Sequence, residues 1–383
     1  MIPSKYAHRD EGIAIAKALG IFLMVVGHCS AATGNTLGVV DWQFFIHRAI
    51  YTFHMPLFFI LPGYLFKMER IEDPLSYIQK KIKGLYFPYV KWMLAFLLLH
   101  NLFWYMGVYG SYLGEAIPSR LGRYGMISGF MNAFCFGCSR NIYGDQFLGG
   151  FWFIPVLFQV SIIVLFFFIA NKRLLGEKCN VCIGGIVVLI ILSMLLFYVH
   201  VDEIFINGKT ILGVAYFLTG FVIKQVRKTK WINSVVFVFG IMAILFATHF
   251  CPVAYGKITE WTQVPLTFLM GVIGSWMLMI GAHWLAECLP NAIKRLLFFA
   301  GENTIVILGL HFLCFKLVDA LKVWYYDMPW TTIQEFPFVS QIPNGNGVVW
   351  WLAYIVVGCC VPLLLLWGYQ KVKNSTNTQR SQC

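Results

Sequence analysis

The fold class this sequence predicts is all-α: a polytopic membrane protein of about ten transmembrane helices in one bundle. Three observations carry that expectation. Of the 383 residues 59% are hydrophobic and only 12% charged, about half the charge of an ordinary soluble domain. Mean hydropathy is +0.72. Apolar runs of about 20 residues, the length a helix needs to cross hydrocarbon, recur along the whole chain.

The spans follow in order. The first, 12–31, contains KALGIFLMVVGH; it is long and followed by no small-residue cleavage site, so it is expected to be retained as a helix. The second, 46–66, contains FHMPLFFILPGYLF, where Pro56 and Pro62 remove backbone donors and are expected to kink the helix beside a cavity. The third, 85–107, is entered through the basic run KKIKGLYFPY, and the fourth, 149–170, opens on FWFIPVLF. Apolar runs place the next four at 181–200, 208–223, 232–250 and 263–286. The ninth, 300–320, starts on the polar Gly301-Glu302-Asn303-Thr304, and the tenth covers 347–369. One membrane domain therefore occupies 1–373, followed by a polar tail over 374–383 expected to be disordered. The two sizeable connections are 108–148 and 321–346; the glycines of the first are compatible with a segment that dips back into the membrane.

Charge orients the bundle. Nineteen lysines and arginines fall on the side of the N-terminus, against six (Arg120, Arg123, Arg140, Lys209, Lys257 and Lys322) on the other. Both termini are thus expected in the cytoplasm. Basic loops beside membrane lipids account for the net charge of +12, and no nucleic-acid partner is needed. Cys135 with Cys138, and Cys179 with Cys182, have CxxC spacing, but the pairs face opposite sides of the bilayer, so no metal site is expected. A disulfide between Cys135 and Cys138 stays open.

Lys17 and His28 stand eleven residues apart in the first span, on nearly one helical face and about 16 Å apart along the axis. Ionisable side chains at membrane depth normally face a bundle interior or a wet cavity. The bland alternative has Lys17 snorkelling to an interface and His28 held by a neighbour. His54 beside Pro56, and His311 on roughly the same face as Thr304, invite the same two readings. An imidazole titrates near neutrality and serves as general base or nucleophile.

Taken together, KALGIFLMVVGH, FHMPLFFILPGYLF, KKIKGLYFPY, FWFIPVLF and GENTIVILGLHF, in this order over about residues 10–370, resemble the integral-membrane acyltransferase-3 family of bacteria. Within it the chain looks most like the fucose 4-O-acetylase-like group. The resemblance implies an O-acyltransferase of the bacterial cytoplasmic (inner) membrane. Its donor would be acetyl-CoA, used without a metal, and its acceptor a hydroxyl of a cell-surface glycan or lipid-linked sugar. His28 matches the helix-one histidine thought to act in catalysis, with His54 and His311 as further candidates. Lys17 falls where many members carry arginine, and Lys80 and Lys83 match a basic pair implicated in donor handling; lysine keeps the charge but loses the planar fork. Asn303 belongs to the helix-nine pattern. Lys17, Asn303 and His54 are the candidate donors to a developing oxyanion. The competing class is a secondary transporter of a sugar or anionic ligand, whose broken helices and buried charges look alike; no inverted repeat is visible.

Overall fold

The computed structural model describes residues 10–30, 41–110, 118–136, 145–175, 179–201, 207–226, 230–339 and 347–380. Cys138 lies outside them, and with it the question of the Cys135–Cys138 bridge. Helices succeed one another in the order α1 (Glu11–Ser30), α2 (Asp41–Tyr64), α3 (Pro74–Lys81), α4 (Phe87–Tyr105), α5 (Arg123–Phe134), α6 (Phe153–Leu175) and α7 (Cys179–Tyr198). Then come α8 (Gly208–Val226), α9 (Lys230–Phe250), α10 (Gln263–Cys288), α11 (Asn291–Glu302), α12 (Thr304–Tyr325) and α13 (Gly347–Arg380). No strand occurs among the described residues.

Ten of these helices reach 19 residues or more and correspond to the ten predicted spans; α3, α5 and α11 are short. Among the described residues eight stretches are long and apolar enough to cross a membrane. The other two long helices are α7, whose apolar part is only Cys182–Tyr198, and α8, bounded by Lys209 and Lys224. Helix α8 packs on α2, α6 and α7, and Leu212, Ala215, Tyr216, Phe217 and Leu218 are fully buried. Protein rather than lipid surrounds it, which relaxes the need for a long apolar run. The lipid-facing belt lies elsewhere, on exposed residues such as Val188 and Ile191 of α7, Phe239 and Met242 of α9 and Leu364 and Leu365 of α13. The protein is a multi-pass membrane bundle.

Helix α1 is the central post: 61% of its apolar window is buried, against 22% for α9. Both its ends are tied. At the Glu11 end, His283 Nε2 stands 2.8 Å from Asp10 Oδ1 and Lys294 Nζ 3.0 Å from Glu11 Oε2. At the Ser30 end, His47 Nδ1 donates to Gly27 O at 2.9 Å and Trp351 Nε1 to Ser30 Oγ at 3.1 Å. A helix fixed at both ends and packed between α2, α10, α11 and α13 is a rigid support for whatever it carries.

Two departures from regularity matter. A π-helical turn over Ile82–Tyr86 joins α3 to α4 without a break, and such turns store strain that helices tolerate mainly at functional positions. Helix α5 then runs back along α4. Asn101 exchanges hydrogen bonds with Leu121 (3.1 and 2.9 Å), while Tyr86, fifteen residues earlier, donates to Phe134 O at 3.0 Å. Helix α5, within the glycine-rich connection, thus follows α4 for about 22 Å. At the other terminus α13 continues as helix to Arg380, past Asn374 where the polar tail is predicted to begin.

Candidate active site

Tyr51 organises the Ser30 end of the bundle. On α2, positions 47, 51 and 54 share one helical face, so His47 and His54 flank the tyrosine with ring centroids 4.0 and 4.7 Å away. Gly27 of α1 admits that ring: a Cβ there would stand 2.8 Å from Tyr51 Cε2. The tyrosine hydroxyl thereby comes within 3.1 Å of His28 Nδ1. Helix α12 supplies the fourth imidazole, His311, whose ring lies 5.2 Å from that of His28. Phe312 packs edge-on against His28 at 4.7 Å.

Hydrogen bonding fixes the tautomers. His54 Nδ1 lies 2.9 Å from Ile50 O, and a carbonyl only accepts, so Nδ1 carries the proton. His311 Nδ1 likewise donates to Leu308 O at 2.9 Å and Ile307 O at 3.1 Å. Its Nε2 therefore holds a lone pair, is buried, and has no hydrogen-bond partner among the described residues. An orphaned buried acceptor costs about 1–3 kcal/mol, so this nitrogen marks a place where a proton donor belongs. The structure thus brings the three predicted histidines, His28, His54 and His311, to one place. His47 and Tyr51 are added to the set; the seven-residue spacing of His47 and His54, two helical turns, is the signal the sequence carries for the former.

The predicted cationic residues gather at the other end of α1. Gly301 packs on Ala14 and Lys17, bringing the chain break between α11 and α12 to the level of Lys17. Asn303 makes that break, with φ −114° and ψ 31°, its Nδ2 donating to Phe299 O at 2.8 Å. Lys17 and Arg70 both act electrostatically on Lys81. Arg70, Lys80 and Lys81 line a cavity of about 550 Å³, shared with Ser76 and Tyr77; the acidic Glu69 and Asp73 line it too. Lys83 is exposed on the π-helical turn and does not line the cavity. Lys81, its neighbour in the same basic run, does. Of the three candidate oxyanion donors, Lys17 and Asn303 lie at this end, so only His54 stands near His28.

Over the imidazoles lies the segment 330–339, held by α12. Lys316 Nζ donates to Asp319 Oδ2 (2.9 Å), Ile333 O (2.8 Å) and Glu335 O, and Lys322 Nζ to Val339 O. Asp319 Oδ1 accepts from Val339 N at 2.9 Å and from the Tyr354 hydroxyl at 2.5 Å. Phe336 is thereby seated against Phe312 at 5.0 Å, and Phe312 against His28. Gly110 lets the 108–110 loop meet the same strap, since a Cβ would stand 1.3 Å from Gln334 O.

The acyltransferase-3 family model, described as an acyltransferase domain, matches residues 10–367 of this chain. No curated protein and no solved structure matches it.

Proposed function

The chain belongs to the acyltransferase-3 family, and from that premise we propose a membrane O-acyltransferase that moves an acetyl group from cytosolic acetyl-CoA to a hydroxyl of a cell-surface glycan or lipid-linked sugar, in the bacterial inner membrane with both termini in the cytoplasm. One observation carries the reading. A single buried helix bears Lys17 beside a cationic cavity at one end and His28 within a cluster of imidazoles at the other.

Donor phosphates need cations, and Arg70, Lys80, Lys81 and Lys17 would receive them by charge. The acyl arm then extends toward the histidines. There His28, whose Nδ1 stands 3.1 Å from Tyr51 Oη, is the general base in the tautomer that leaves the lone pair on Nε2. It takes the proton of the acceptor hydroxyl as that oxygen attacks the acetyl carbonyl carbon. The carbonyl π pair moves onto oxygen, beside the Tyr51 hydroxyl. On collapse the C–S bond breaks, and the departing CoA sulfur receives the proton from the imidazolium. His311 Nε2, without a partner, accepts a hydrogen bond from the acceptor and helps align it. Phe312 and Phe336 cover the site and limit water, which would otherwise compete with the sugar hydroxyl.

The test is incubation of purified protein with radiolabelled acetyl-CoA in lipid nanodiscs. Hydrolysis, or transfer to added glycan, supports the enzyme. Sugar or anion uptake into proteoliposomes without acyl turnover replaces it with a carrier.

A further inference from the structure

A second, smaller cavity of about 160 Å³ adjoins the imidazoles, lined in part by Phe44, His47, Arg48, Tyr51, Lys257 and Gln263. His47 and Tyr51 belong to it and to the histidine cluster alike, so a molecule seated here touches the ring whose hydroxyl meets His28. Two of its lining residues are cations held by aromatic faces. The Arg48 guanidinium carbon stands 4.1 Å over the Phe44 ring, and Lys257 Nζ 5.6 Å from the Tyr51 centroid. Stacking orients a guanidinium but uses none of its five N–H donors. Among the described residues neither the Arg48 guanidinium nor the Lys257 ammonium donates a hydrogen bond or pairs with a carboxylate. Neighbouring lysines are engaged: Lys209 donates to Gly256 O at 3.0 Å, and Lys316 and Lys322 belong to the Asp319 network.

Two unpaired cations around a cavity with room for one sugar-sized group are a poor site for a neutral ligand, which would desolvate charge without compensating it. They suit an oxyanion, and Phe44 and Tyr51, which carry those cations on their rings, line the cavity beside the sugar bearing it. Resting on the acyl-transfer reading above, we propose that this cavity binds an acidic sugar of the acceptor through its carboxylate or phosphate, with Arg48 and Lys257 fixing the charge so that a hydroxyl is turned toward His28. Specificity then comes from what is rejected, since a neutral glycan leaves both cations unsatisfied.

The experiment is calorimetric titration of the full chain in phosphatidylcholine nanodiscs. Four probes are used: 4-nitrophenyl glucuronide, glucose 1-phosphate, neutral 4-nitrophenyl glucoside and dihexanoyl phosphatidylglycerol. At least one anionic sugar is expected to bind about tenfold or more tighter than the glucoside, a margin that charge-assisted hydrogen bonds supply; whichever binds better names the oxyanion. The preference should vanish in the Arg48→Gln, Lys257→Gln double variant and persist in Arg48→Lys with Lys257→Arg. Should the glutamine variant not fold, the four-probe contrast on the unmodified chain decides. Equal binding of charged and neutral sugars, survival of the preference in the glutamine variant, or phosphatidylglycerol binding tighter than both anionic sugars overturns the proposal. Acetyl-CoA turnover measured on the same discs separates the two readings: turnover without charge preference defeats this inference alone, and absence of turnover defeats the acyl-transfer reading however the sugars bind.

Discussion

His28 and His311 present two imidazoles to one space, but only His311 has its tautomer fixed by carbonyls. His28 faces a hydroxyl, which accepts or donates, and this leaves it able to cycle a proton. We expect His28→Ala to insert and bind acetyl-CoA yet lose transfer by about 100-fold or more. His28→Gln should fare no better, because glutamine keeps a hydrogen bond without a titratable nitrogen; near-normal transfer by that variant in matched membranes would remove His28 from the chemistry. At the other end of α1, Lys81→Ala should raise the KM for acetyl-CoA about tenfold or more, with Lys81→Arg tolerated, whereas Lys83→Ala, outside the cavity, should change it little. Equal effects at 81 and 83 would locate the donor elsewhere. The histidines were legible because imidazoles stand out against apolar runs. Tyr51 was not, since a tyrosine in FHMPLFFILPGYLF's approach reads as one more interfacial aromatic, and its role depends on Gly27 of a different helix. Lys81 was hidden by its basic neighbours: KKIK shows a charged run but not which lysine faces the cavity.

The strap over 330–339 depends on one carboxylate. Asp319 is fully buried, and the nearby Lys316 and Lys322 are almost so. Removing one member of such a network leaves the others charged and unpaired, at a cost of about 3–5 kcal/mol. Asp319→Ala should therefore lower the thermal midpoint in detergent sharply, and Asp319→Asn, which keeps part of the hydrogen bonding, less so. An alanine variant as stable as the parent would show that the strap is held by its aromatic contacts instead. Sequence placed the ninth helix well enough, but not this device. Lys316, Asp319 and Lys322 repeat every three residues on α12, while their partners are backbone carbonyls and an amide in a loop and a hydroxyl on α13. Pairing of that kind leaves no periodic trace. The glycine-rich connection suggests a segment that dips back, but the course of α5 is set by Asn101 of α4 and Tyr86 of the π-helical turn, again long-range contacts.

For the molecule as a whole, ten long helices were readable because each span must satisfy its own backbone in lipid and so announces itself by length and apolarity. Which helix becomes the central post was not, since α1 and α9 are both apolar and only packing separates them. The orientation expected from basic residues is open to a direct test: reporters placed after Lys83 and Lys230 should be cytoplasmic, and those at Arg120 and Asp327 outside. Reversal at any of the four would put the cationic cavity on the wrong side for cytosolic acetyl-CoA. Finally, the tethering of α1 at both ends gives the protein a ruler. Lys17 and His28 on one rigid helix stay about 16 Å apart along its axis, so the distance itself screens donors: an acetyl group on a long flexible arm reaches from one mark to the other, whereas acetyl phosphate, gripped at the Lys17 end, falls short and should acetylate nothing.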